Sequence, residues 1–212
     1  MGLLDRLAPR KNGPAVRVPD AADDPVSATK ALKRFVSCLT SREAPILLDL
    51  GPVVGSNVSF FGEQLGCKIF VEDIFSDLDR HVRDDKLDSF PEFLQKRFPQ
   101  APETVDGILC WDLVDYLSRP AAQAIATELT RVLRPDGALL AFFGTAQPRD
   151  ARYTKFIISD DVTLRHRTYP AARARQAILL NRDIIRLFSG LRVSESFLLQ
   201  NNLREILFRK PA

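Results

Sequence analysis

ILLDLGPVVGSNVSFFGEQLGCKIFVED, Ile46 to Asp73, is the stretch on which the fold turns. Together with Pro45, its opening run PILLDL is almost wholly apolar, the pattern of a short strand buried on both faces of a parallel sheet. Gly51 follows at once, where a missing Cβ lets the backbone turn sharply and lets a ligand approach the main chain. Gly55 stands where the next helix begins, so the free N–H groups of that helix can meet a negative group. Val58, Phe61 and Leu65 mark the helix and Gly66 closes it. KIFVED is a second strand. Glu72, 23 residues beyond Asp49 and followed by Asp73, is placed to accept hydrogen bonds from ribose hydroxyls. A strand–loop–helix–strand unit of this kind closes with a right-handed crossover.

The same alternation continues along the chain. Asp24 and Pro25 read as a helix start, with Ala28, Leu32, Phe35, Val36 and Leu39 on one face. Phe90, Phe93, Leu94 and Phe98 predict a helix over 88–98, and VDGILCWD (Val105 to Asp112) a strand. Ala121, Ala124, Ile125, Leu129, Val132 and Leu133 give another helical face, and RPDG turns the chain into the strand ALLAFFG. After residue 150, YTKFIIS and VTLRHRTY flank Asp160 and Asp161, which predicts a hairpin over 151–175, inserted as a cover for a substrate. Asn181 can cap a helix carrying Ile184, Ile185, Leu187 and Phe188. LRVSESFLL and LREILFRK are two closing strands. The order predicts an α/β fold, a doubly wound and mostly parallel seven-stranded sheet ending in an antiparallel pair. Residues 1–25, rich in Pro, Asp and Ala without a sustained period, read as a flexible lead-in to a single domain over 26–212.

Composition excludes several classes. The longest apolar run, ALLAFF, is far too short to cross a bilayer, so no stable membrane insertion is expected. Cys38, Cys67 and Cys110 are odd in number and scattered, which suits a reducing cytoplasm and neither a disulfide framework nor a metal site. Net charge is +3 but uneven: residues 151–212 hold 12 basic and 5 acidic side chains. No basic stripe carries the interleaved aromatics of a single-strand binder, and nucleic acid is disfavoured as a partner.

The loop narrows the ligand. A dinucleotide reader carries G-x-G-x-x-G, whose middle glycine makes room for pyrophosphate; here that place holds Val53. A diphosphate is disfavoured and a nucleoside without one is not. A left-handed backbone at Val53 would be costly.

Here the chain resembles the class I S-adenosylmethionine-dependent methyltransferases over about residues 45–145 and 180–210. DLGPVVG is similar to the family's D-x-G-x-x-x-G loop, VDGILCWDLVDYL to its fourth strand and loop, and ELTRVLRPDGALLAFFG to its next helix, turn and strand. The final NRDIIRLFSGLRVSESFLLQNNLREILFRK is similar to its last helix and antiparallel pair. The resemblance implies S-adenosylmethionine as cofactor, with Asp49, Gly51, Pro52 and Gly55 around its methionine end, Glu72 and Asp73 at the ribose, and Cys110 and Trp111 bordering the methyl group. The aspartate that many relatives place after a third strand has no match in FPEFLQKRFPQAPETVD.

Methyl transfer depends on alignment more than on a universal catalytic residue. Asp112 and Tyr116, at a strand's carboxyl end, are the candidates for substrate contact or proton removal. Their bland roles are capping and packing. The acceptor expected is a small molecule. The rival reading is a catalytically inactive scaffold or regulatory domain, and a protein partner or homodimer stays open. His166, between Arg165 and Arg167, is expected to be neutral through charge repulsion.

Overall fold

The structure, a computed structural model, describes residues 24–146, 150–176 and 178–212. The elements run β1 (Val26–Ala28), α1 (Leu32–Thr40), β2 (Ile46–Asp49), α2 (Gly55–Val58, continued by a π-helical segment Ser59–Gln64), β3 (Lys68–Val71), α3 (Ile74–Arg83) and α4 (Phe90–Gln95). They continue with β4 (Val105–Trp111), α5 (Arg119–Val132), β5 (Leu133–Gly144), β6 (Arg152–Asp160), β7 (Thr163–Pro170), α6 (Asn181–Leu187), β8 (Arg192–Leu198) and β9 (Leu203–Arg209). Six strands form one sheet in the order β3-β2-β4-β5-β9-β8. The first four are parallel, β9 is antiparallel to β5, and β8 is antiparallel to β9.

The expected seven-stranded sheet is corrected to six strands among the described residues. Between α3 and β4 the chain makes a 3-10 turn, Leu87–Ser89, and then α4, whose Phe90 and Leu94 enter the core. Burial of that helical face leaves no segment there to extend the sheet past β3. A separate antiparallel sheet, β1-β7-β6, stands beside it.

Residues 1–23 lie outside the described residues, but Asp24 is buried and pairs with Arg167 at 2.6 Å. The Pro25 carbonyl accepts from the His166 backbone N–H at 2.9 Å. The helix expected from Asp24 therefore begins only at Leu32, because residues 26–28 pair with β7. Glu205, fully buried on β9, serves the start of α1: it accepts from the Lys30 N–H at 2.8 Å and from the Thr29 hydroxyl.

Alternation along the strands sends side chains to two cores. Leu48, Ile108, Cys110 and Leu139 face α3, α4, α5 and α6. Leu47, Leu109, Trp111 and Leu140 face α1, Phe61, and Phe156, Ile158 and Leu164 of the small sheet. Two helical faces differ from expectation. In α2, Asn57 is buried and Val58, just before the π-helical segment, is exposed, and in α6 Ile185 is exposed. Asn181 makes no side-chain cap there; Leu180 holds that position.

Strands β6 and β7 pair from Arg152↔Pro170 to Asp160↔Thr163. This hairpin is fastened to the helix that follows the glycine loop. The buried amide of Asn57 donates from Nδ2 to the Phe156 carbonyl and accepts at Oδ1 from the Ile158 N–H, both at 2.8 Å.

Candidate functional site

The carboxyl ends of β2, β3, β4 and β5 lie side by side, the edge where open α/β sheets bind ligands. From Gly51 to Gly55 no residue enters the left-handed region, so the cost foreseen at Val53 does not arise; its side chain is 62% exposed. What Gly51 provides is room. A Cβ there would lie 2.7 Å from Cδ1 of Trp111. The indole N–H donates to Asp49 Oδ1 at 2.6 Å, and the Gly51 N–H donates to the same oxygen at 2.9 Å. The indole stacks on Phe156 with centroids 5.3 Å apart and planes 6° from parallel. Burial pushes the Asp49 carboxyl up to about 6, and these two hydrogen bonds offset only part of that desolvation.

Two bulky or charged residues at this edge have strained backbones. Trp111 sits at φ 51° and Asp73 at φ 29°. Asp73 is the N-cap of α3, accepting from the Ser76 N–H at 3.2 Å and from the Ser76 hydroxyl at 2.7 Å. Glu72, expected at a ribose, is already engaged. Its carboxylate pairs with Arg97 and accepts from Gln100 Nε2 at 3.0 Å, while Arg97 also donates to the Glu72 carbonyl at 2.9 Å and to Asp77 at 2.8 Å.

A second group lies past the end of β4. Asp112 is fully buried, with Oδ2 paired to Arg175 at 2.7 Å. Asp115 Oδ2 accepts from the Gly144 N–H at 2.6 Å and lies 3.6 Å from Arg175 Nε. Burial raises both carboxyls, and the neighbouring Asp112 charge helps raise Asp115 to about 7. The Tyr116 hydroxyl donates to the Arg152 carbonyl at 2.7 Å, tying the base of the hairpin to this group, and burial lifts it above an ordinary phenol.

Of the residues singled out in the sequence, Asp49, Gly51 and Trp111 meet, and Asp112 meets Tyr116. Pro52 and Gly55 belong to the loop, and among the described residues no atom outside Gly55's chain neighbours and own helix backbone lies within 4 Å of a Cβ built on Gly55. Cys110 is buried in the α5-side core whereas Trp111 lies in the other, and desolvation raises its thiol. Arg175, Arg97 and Asn57 had no sequence signal, because each acts on a partner dozens of residues away. Among the described residues no His, Cys, Asp and Glu group could hold a metal, and no helix is long and apolar enough to cross a membrane.

No protein-family model and no curated protein matches the chain. Solved structures do. The chain superimposes on a protein of Pyrococcus horikoshii OT3 with a TM-score of 0.50 at 16% identity, over 79% of this chain and 84% of that one. Streptomyces venezuelae DesVI gives a TM-score of 0.50 at 16% identity, over 86% and 93%. A geranyl diphosphate methyltransferase solved in complex with GPP and sinefungin gives 0.50 at 12%, over 85% and 77%. The chain shares the α/β fold of these structures, one of which is a methyltransferase.

Proposed function

We propose that this chain, which has the methyltransferase fold, binds S-adenosylmethionine at the Asp49–Gly55 loop and transfers its methyl group to a small-molecule acceptor. The observation that carries the reading is Trp111: a bulky residue held at positive φ, with its indole over Gly51 and on a buried carboxylate. Strain of this kind costs on the order of 1–3 kcal/mol and gathers at ligand clamps. Asp49, desolvated and raised, suits a cationic ligand, since a sulfonium or ammonium nearby favours its ionised form. With the indole turned off Gly51, the residues fit the cofactor: Asp49 for its positive end, Gly51 for close approach, and the N–H groups opening α2 for its carboxylate. When bound, the group supplies an electrophilic methyl and leaves as a neutral thioether. Glu72 would accept a ribose hydroxyl on the lone pairs that Gln100 and Arg97 leave on its carboxylate.

The second reading is a domain that keeps the fold without the ligand. It is favoured by the same indole filling the free face of Gly51, and by Arg175 occupying Asp112. Calorimetric titration with S-adenosylmethionine, S-adenosylhomocysteine and, as control, NAD separates the two. Binding of the first two alone, tightened in Trp111→Ala by relief of the indole, is the expected result. No binding by either the wild type or Trp111→Ala, both shown to be folded, selects the inactive domain.

A further inference from the structure

A cleft of about 350 Å³ opens where β5 ends, beside Ala146, between the small sheet and the turn that joins β8 to β9. Its polar wall is Ser27, Thr154, His166, Thr168, Asn201, Asn202 and Arg175, and among the described residues no carboxylate lines it. The volume falls within the range of small-molecule pockets. Arg175 joins this cleft to the end of β4, because the same guanidinium is paired with Asp112. An aromatic column joins it to the glycine loop: Trp111 stacks on Phe156, and the Phe156 ring meets the edge of His166 at 5.2 Å.

At the cleft wall Ser27 Oγ lies 2.5 Å from His166 Nε2, and Asn201 Nδ2 lies 3.4 Å from the same oxygen. An amide N–H can only donate. Ser27 Oγ therefore accepts from Asn201 and is left to donate its proton to Nε2. Desolvation holds His166 below its ordinary value, so the ring is neutral near pH 7. The cause is burial rather than the flanking arginines, one of which, Arg167, is paired with Asp24.

We infer that this cleft holds the methyl acceptor, that the acceptor is a small alcohol or phenol presenting its O–H to Ser27, and that His166 is the general base. The inference rests on the methyltransferase reading. A hydroxyl that becomes a neutral ether must give up its proton, whereas a carboxylate acceptor has none to lose. Neither aspartate beyond β4 lines the cleft, and Asp112 is tied to Arg175. As the acceptor oxygen bonds to the methyl carbon, its proton passes to Ser27 Oγ while the Ser27 proton passes to Nε2. Ser27 is restored and His166 ends as imidazolium. The hydroxyls of Thr154 and Thr168 and the Asn201 amide offer neutral hydrogen bonds around a hydroxylated ligand.

The test uses the full chain with S-adenosylhomocysteine or labelled S-adenosylmethionine, and phenol, catechol and 4-hydroxybenzoate as probes. The sequence has only two histidines, His81 and His166, so ring-labelled histidine gives two NMR signals that His81→Asn assigns. Expected are a probe-induced shift at His166 but not His81, methylation of at least one probe, and a loss of about 100-fold or more in kcat in His166→Gln with cofactor affinity unchanged. Ser27→Ala, a milder change, should lower kcat in the same direction and carries the test should His166→Gln fail to fold. Cofactor binding without any probe shift at His166, or turnover in His166→Gln or Ser27→Ala equal to wild type, overturns the inference and leaves the methyltransferase reading standing. Absence of cofactor binding overturns both.

Discussion

Glu72 shows how a side chain can stand where the sequence places it and still do something else first. Sequence spacing puts it at the end of β3 with a ribose as its natural partner, so its loss should cost affinity and leave the empty protein's melting temperature alone. In the structure it is held by Arg97 and Gln100, and Arg97 goes on to Asp77. Glu72→Ala should therefore lower stability by on the order of 1–2 kcal/mol as well as weaken cofactor binding, because a half-buried guanidinium loses one of its two carboxylates. Thermal melting of the unliganded variant checks this; an unchanged midpoint would mean the pair is too solvated to count. Asp115 makes a different demand. Its carboxyl is raised to about 7, against roughly 3.9 for an unfolded chain. Between those values the folded protein keeps a proton that the unfolded chain has released, so this group's contribution to stability falls as pH rises. Asp115→Asn retains an oxygen to accept from the Gly144 N–H but removes that titration. Urea unfolding from pH 4 to 7 should show the wild type losing up to about 1.4 kcal/mol per pH unit relative to the variant. Equal slopes for the two proteins would place that proton on another group.

Elements were legible in the sequence wherever burial repeats with a fixed period. PILLDL, VDGILCWD and ALLAFFG became β2, β4 and most of β5, because strands covered on both faces must be apolar throughout. The helix at 119–132 followed from its apolar face in the same way. Strand β1 had no such signal: three residues, two of them exposed, held by pairing with a strand more than 130 residues away. The site was legible only as far as the loop itself. Asp49 and Gly51 could be placed, whereas the indole that covers Gly51, the arginine on Asp112 and the serine on His166 come together through tertiary packing. Asn57 belongs with these. Its amide completes β6 as a strand neighbour would, and it does so from the helix that opens at Gly55. Replacing Asn57 by Ala should strand the Phe156 carbonyl and the Ile158 N–H in a buried setting, at about 1–3 kcal/mol for each. Native-state hydrogen exchange should find the Ile158 amide faster in the variant than in the wild type by several tens-fold; unchanged protection would show that the hairpin is held by its aromatic contacts alone.

Across the whole molecule, the mostly parallel sheet and its closing antiparallel pair were readable and the number of strands was not. The chain between α3 and β4 carries phenylalanines at helical spacing, and the core accepted them as a helix, leaving β3 paired only with β2 among the described residues. An unpaired backbone edge can template the pairing of a second molecule. Lys68 opens that strand, exposed, with Nζ 5.1 Å from the Phe70 ring, and the following Ile69, Phe70 and Val71 are only partly covered. The charge there discourages such pairing at small cost to the fold. Lys68→Val should leave the unfolding midpoint within about 0.5 kcal/mol of wild type and yet raise light scattering with protein concentration on mild warming; scattering no greater than that of wild type would show the edge to be protected by other means. The shelf life of this protein in concentrated solution, on that view, hangs on a single ammonium group at the edge that the described residues leave open on β3.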